Sequence, residues 1–205
     1  MKLDLRPLLL NGAQRGTVID LHHHIYPTAS ARSIDITPLF SHAVSIPGSA
    51  FKVPATAHLF IHAAVHLFYQ EETHKLTKDV IDLNDLLLEV QHQKQLDFML
   101  EQAARMSVQS AVINACWILS KLFKNGAAQA ALHSSALPRH QPLVCNLLLT
   151  MLQGRPARAW FARQLWFVRG HSLKMRWQVL VYHSLAKPAS GMQRWLRRWL
   201  PGHKS

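Results

Sequence analysis

From Pro54 onward, apolar residues recur at the three- and four-residue spacing of α-helices, and this periodicity is the strongest constraint on the fold. The clearest stripe lies in a helix predicted for residues 76–91, and its members are Leu76, Val80, Leu83, Leu87 and Val90. Further helices are predicted for residues 55–69, for 96–123 with a break, and for 141–152, 157–168 and 173–185. The expected outcome is a mostly helical bundle.

Residues 1–53 follow a different pattern, in which short strand-like runs are interrupted by turns. The turn-forming residues are Asn11, Gly12, Gly16, Pro27, Pro38, Pro47 and Gly48. A helical turn is expected at residues 34–40 and a short strand at 51–53. We therefore predict an α+β fold in which a short β-strand edge precedes the helical bundle. The predicted parts are a β-containing segment at 1–53, a helical domain at 54–188, and a basic amphipathic helix or tail at 189–205.

Composition indicates a globular chain with a substantial core. The 205 residues, 49% of them hydrophobic, are enough for one domain. Cys116 and Cys145 lie in apolar runs, so both are expected to be reduced, buried thiols of an intracellular protein. No signal-peptide core or bilayer-spanning run is found, and the expected location is the cytoplasm.

The net charge of +12 is distributed unevenly along the chain. Residues 1–101 carry 8 basic and all 11 acidic residues, whereas residues 102–205 carry 15 basic residues and no acidic one. This asymmetry suggests that residues 155–204 meet an anionic partner, namely nucleic acid, a phosphorylated substrate or a membrane surface. The alternative is a basic surface without a specific partner.

Two blocks in this basic half combine arginines with aromatic residues, at residues 155–169 and 192–200. The second block has the pattern of a basic amphipathic helix, which lies on an anionic membrane or packs on a partner. Alternatively, it is a terminal helix that closes the bundle with its apolar face. Arginines and aromatic rings also stack on nucleic-acid bases. One functional hypothesis is therefore a basic helical module that binds nucleic acid or an anionic membrane surface.

Three histidines, His58, His62 and His66, recur at four-residue spacing on the first long helix. Two imidazoles at this spacing can bind one metal ion, and Asp79 and Asp82 could add carboxylates. The alternative is structural, because histidines facing an acidic helix commonly donate hydrogen bonds to its carboxylates.

Residues 17–27 read as a strand that carries one carboxylate and a run of three histidines. Side chains alternate between the two faces of a strand, so Asp20, His22 and His24 share one face, whereas His23 points to the other. This arrangement suits a metal or a phosphate. It equally suits a polar sheet face with hydrogen-bonded histidines.

Five short motifs together resemble an uncharacterised bacterial nucleotidyltransferase-like family of the polymerase β-type superfamily. They are DLHHHIYP at 20–27, HAAVHLF at 62–68, KDVIDLNDLL at 78–87, RGHSLKM at 169–175 and YHSLAK at 182–187. Enzymes of that superfamily use three carboxylates to hold two Mg²⁺ ions that bridge the phosphates of a nucleoside triphosphate. The resemblance implies that Asp20 is the third carboxylate, a catalytic Mg²⁺ ligand. His22 and His24 would tune it from outside the metal's own ligands.

The superfamily's Gly-Ser turn and Asp-x-Asp pair precede the third carboxylate by several dozen residues, and only Asp4 precedes Asp20 here. The resemblance therefore implies a truncated protein, or one that is inactive alone. It would transfer a nucleotidyl group from a nucleoside triphosphate with Mg²⁺ if a missing N-terminal half or a partner chain supplied the absent strand.

Overall fold

A computed structural model describes residues 34–69, 73–134 and 143–174. Helices make up 77% of these residues, and two short strands form a small antiparallel sheet. This confirms the mostly helical α+β fold. The elements are α1 (Thr37–Ser41), β1 (Val44–Ser45), β2 (Lys52–Val53), α2 (Thr56–Tyr69), α3 (Leu76–His92), α4 (Leu96–Arg105), α5 (Gln109–Phe123), α6 (Gly126–Ser134), α7 (Leu143–Gln153) and α8 (Pro156–Lys174). The predicted strand at 17–27 lies outside the described residues, and the division into three parts stays a prediction.

Helix α2 is the centre of the bundle because it is apolar on nearly every side. Its buried residues are Ala57, His58, Phe60, Ile61, Ala64, Val65, Leu67, Phe68 and Tyr69. Helices α3, α4 and α5 pack around it. The start of α2 is also tied to a distant segment, since the Ala57 N–H donates a hydrogen bond to Gln95 Oε1 at 3.3 Å.

Helix α3 buries the stripe that its spacing predicts. Leu76, Val80, Leu83, Leu87 and Val90 are all buried, and α3 packs mainly against α2. The predicted apolar face is thus confirmed.

The predicted break within residues 96–123 is also confirmed, and the structure locates it between α4 and α5. Ser107 takes the left-handed conformation there, with φ of 57°. The Val108 N–H donates to the Ala103 carbonyl at 2.9 Å and the Ser107 N–H to the Ala104 carbonyl at 3.0 Å. This is a Schellman ending, which satisfies the last carbonyls of α4.

Helix α6 is not among the helices that the sequence predicts. Four of its nine residues are alanines, which favour helices, but the segment begins with Gly126 and has no stripe of large apolar side chains. Asn125 caps it, because Asn125 Oδ1 accepts the Ala128 N–H at 3.1 Å. The Asn125 amide also donates to Asn84 Oδ1 at 2.9 Å, which joins α6 to α3.

Helix α8 is longer than the helix predicted for residues 157–168. The start predicted for the next helix, at residue 173, is therefore wrong. Helix α8 includes Leu173, which the sequence assigns to the start of a separate helix at 173–185. Gly170 does not end α8, because it lies buried within the helix. Residues 175–185 lie outside the described residues.

The two cysteines and the helix lengths can also be compared with the predictions. Cys116 and Cys145 are buried and free, as predicted. Burial raises the pKa of each thiol to about 12. Across the described ranges, no helix has the length and apolar character that crossing a bilayer requires.

Candidate functional site

The strand predicted to carry Asp20, His22 and His24 lies outside the described residues. The described chain starts at Ile34 and continues through α1 into the β1–β2 hairpin. Val44 pairs with Val53 and Ser45 with Lys52 in that hairpin. Four apolar side chains of the hairpin are exposed, namely Val44, Ile46, Phe51 and Val53.

The three histidines of α2 occupy different environments. His58 is fully buried, whereas His62 and His66 are exposed and their ring centroids lie 6.2 Å apart. Each four-residue step turns the side chain by about 40° around the helix, so the row drifts from the core to the surface. Within the three described ranges, no three histidine, cysteine or acidic side chains are arranged to hold a metal ion.

The three aspartates of α3 differ in their exposure and contacts. Asp79 is half-buried, and Asp82 and Asp85 are exposed. Asp82 forms an ion pair with Lys78 of the same helix, and that hydrogen bond raises the pKa of Lys78. The structure thus pairs Asp82 within α3.

His58 is the most unusual polar side chain of the described core. Both of its ring nitrogens are buried without a hydrogen-bond partner, and so is Gln102 Oε1. The His42 ring stacks on His58 at 5.4 Å, and the Phe98 ring meets it edge-on at 5.5 Å. Burial lowers the pKa of His58, and the Gln102 side chain opposes this shift. His58 is therefore a neutral imidazole enclosed by aromatic rings.

Arg169 attaches α8 to the bundle. Its Nη1 donates a hydrogen bond of 2.6 Å to the Phe68 carbonyl at the end of α2. The guanidinium also lies 5.3 Å from the ring centroid of buried Trp166, and Trp166 lies 6.1 Å from Phe68. One of the arginines that the sequence assigns to an anionic partner thus contacts the protein's own core.

The rest of α8 is largely exposed, and five large apolar side chains are among its exposed residues. We call this surface the α8 outer face. Its members, with their exposed fractions, are Trp160 (61%), Phe161 (59%), Leu165 (42%), Phe167 (51%) and Val168 (56%). Arg158 and Arg163 are exposed beside them. The sequence indicates the aromatic–arginine block, but the division between its buried and exposed residues requires the tertiary structure.

Comparison with known proteins gives one match. Residues 5–124 match a family model described as "Uncharacterised nucleotidyltransferase". The match covers more than half of the chain, includes residues 20–27, and ends at the residue after α5. No curated protein matches the chain, and no solved structure does.

Proposed function

The chain belongs to the uncharacterised nucleotidyltransferase family, and on that premise we propose that it takes part in nucleotidyl transfer with Asp20 as a Mg²⁺ ligand. The observation that carries this proposal is the match over residues 5–124, which encloses the Asp20 motif. In such a reaction, an acceptor hydroxyl attacks the α-phosphate of a nucleoside triphosphate and pyrophosphate leaves. Because this reaction uses nucleoside triphosphate and Mg²⁺, the proposal places the protein in the cytoplasm.

The donor set on this chain is compatible with Mg²⁺ but incomplete. Carboxylate oxygens are the ligands that Mg²⁺ prefers, so Asp20 is suitable, and His22 and His24 would act by hydrogen-bonding around it. The 205 residues contain no Asp-x-Asp pair. We therefore propose that the paired carboxylates come from another polypeptide or another part of the protein. When bound, Mg²⁺ would neutralise the phosphates of the nucleotide.

The described helices have a supporting role in this proposal. Helices α2 to α5 lie within the matched residues and form most of the core. The exposed histidines of α2 are not part of the proposed metal site, because imidazole suits transition metals and zinc better than Mg²⁺.

The proposal is tested with protein purified from its own cells and a nucleoside triphosphate labelled at the α-phosphate. We expect Asp20→Asn to lower label transfer by at least about 100-fold, since replacing even the partners of metal ligands costs 10- to 100-fold. Asp35→Asn is the matched control, because Asp35 is exposed and accepts a local hydrogen bond from the Thr37 N–H at 2.9 Å. Equal transfer by Asp20→Asn and the wild type would exclude Asp20 as the ligand.

The intact mass of the same preparation tests where the missing carboxylates come from. A mass above 23.3 kDa would support a further segment of the same chain. Activity at 23.3 kDa that depends on a co-purifying protein would support a partner chain. A transfer-inactive preparation with neither would contradict the proposed activity.

A further inference from the structure

Helix α8 packs on the bundle through a narrow strip of its surface. Its buried residues are Ala159, Ala162, Trp166 and Gly170. At about 100° of rotation per residue, these four positions span an arc of roughly 80°. Arg169 and Leu173 adjoin this strip and also contact the bundle, so the side left exposed is the one opposite to it.

The side opposite this strip is the α8 outer face. Its five large apolar side chains are spread over an arc of roughly 160°. Three polar residues, Gln164, His171 and Ser172, lie within the same arc. A helix that faces water on this side would be expected to carry polar residues. A contiguous exposed apolar surface of this kind marks an interaction site.

The exposed arginines of α8 lie on either side of this apolar face. Arg158 and Arg163 lie beyond its two edges, about 220° apart when the angle is measured across the apolar face. No acidic residue follows Glu101, so the whole surrounding half of the chain is basic. The complementary partner is therefore anionic and also accepts a broad apolar surface.

The position of the arginines at the edges of the apolar face favours a lipid surface over a nucleic acid. A helix in a membrane interface places its apolar face at the boundary between headgroups and acyl chains, while arginines at the borders extend to the headgroups. A single-stranded nucleic acid instead requires cations beside each stacked base to follow the backbone. The centre of the outer face carries Gln164 and Val168 rather than arginine.

We propose that the α8 outer face lies on an anionic lipid surface. Trp160, Phe161, Leu165, Phe167 and Val168 enter the headgroup region, and Arg158 and Arg163 contact lipid phosphates. This inference is independent of nucleotidyl transfer, because α8 lies beyond the residues that match the family.

The test is flotation of the full chain with phosphatidylcholine vesicles, with and without phosphatidylserine. We expect binding only to the vesicles with phosphatidylserine, and at least about tenfold weaker binding by Phe161→Ser/Phe167→Ser, because apolar burial is lost. The matched control is Phe40→Ser/Phe51→Ser, which removes two aromatic rings exposed by 71% and 76% far along the chain from α8. The control should bind like the wild type.

Arg158→Gln/Arg163→Gln gives a second readout that leaves the apolar face unchanged. We expect this variant to lose the preference for phosphatidylserine, and binding by the wild type to weaken as salt rises. If the serine variant does not fold, this arginine variant decides the question.

Four outcomes would overturn the proposal. They are no vesicle binding by the wild type, undiminished binding by both α8 variants, binding of an oligothymidine without vesicle binding, and a dimer that Phe161→Ser/Phe167→Ser dissociates without any vesicle binding. The last two would assign the face to nucleic acid or to a second copy of the chain.

Discussion

At the scale of single residues, the ionisation of His58 is linked to folding. Burial lowers its pKa in the folded state, whereas the unfolded imidazole titrates near its ordinary value of 6.5. As the pH falls below this value, the unfolded chain takes up the proton first. Stability therefore decreases as the medium is acidified, and the full contribution of neutral His58 is present above the unfolded pKa.

Replacing His58 by leucine should weaken this pH dependence. We expect the free energy of unfolding of His58→Leu to fall less between about pH 7 and about pH 5 than that of the wild type, because the imidazole whose pKa is lowered by folding is removed. Urea unfolding at both pH values measures the difference. His66→Leu is the control, since His66 is exposed on the same helix. Identical pH dependence in His58→Leu and the wild type would contradict the linkage.

The four-residue spacing of the histidines predicts a shared side of α2 but not their environments. His58 is buried because Phe98 of α4 and His42 after α1 enclose it. Those contacts join His58 to residues 40 and 16 positions away, so no local pattern could distinguish His58 from His62.

At the level of elements, three helices are followed by a residue in the left-handed conformation, which the sequence does not indicate. Lys94, Ser107 and Lys124 end α3, α4 and α5 with φ of 55°, 57° and 53°. Glycine is the usual residue at such left-handed positions because it has no Cβ. Lysine and serine carry no such signal, which is why the sequence predicts a break within residues 96–123 without its position.

The left-handed position of Lys94 predicts a stabilising substitution. Lys94→Gly should raise the free energy of unfolding by about 1 kcal/mol, because the strain of a Cβ at positive φ disappears. The Schellman bond from the Gln95 N–H to the Val90 carbonyl, at 2.9 Å, would remain. The control is Lys121→Gly in the last turn of α5, where the backbone is still helical, and this change should destabilise by up to about 1 kcal/mol. Urea unfolding that shows loss for both variants would be incompatible with this explanation.

The two hydrogen bonds of the Asn125 side chain predict that its replacement destabilises the protein. Asn125→Ala should lower the free energy of unfolding by about 1–2 kcal/mol, because it removes both the cap on Ala128 and the bond to Asn84. Thermal or urea unfolding measures the loss. Gln129→Ala, on the exposed side of α6, should change stability by less than about 0.5 kcal/mol. A similar effect for the two variants would mean that Asn125 does not join the helices.

For the molecule as a whole, the attachment of α8 depends on a small set of contacts around Trp166. Trp166 is fully buried against Phe68, and Arg169 links α8 to the end of α2. Helix α7 packs on α8 and also contacts α5. These contacts join the half that lies outside the family match to the half inside it.

Two tryptophans of α8 therefore give a matched test of the whole architecture. Trp166→Ala should cost about 3–5 kcal/mol, because a large buried side chain is replaced by a cavity. Trp160→Ala, on the same helix with 61% of its surface exposed, should cost less than about 0.5 kcal/mol. Unfolding in urea distinguishes them. Equal costs would mean that α8 does not pack as described.

Most of the helices, though not α6, and the family follow from the sequence, because both depend on signals that are local or short. The stripe from Leu76 to Val90 predicts α3 without any knowledge of its neighbours, and short motifs indicate the nucleotidyltransferase family. Burial instead depends on which helices meet. Only the tertiary structure separates buried Trp166 from exposed Trp160, and neutral His58 from exposed His66, because neighbouring helices cover one side of each helix and leave the other open.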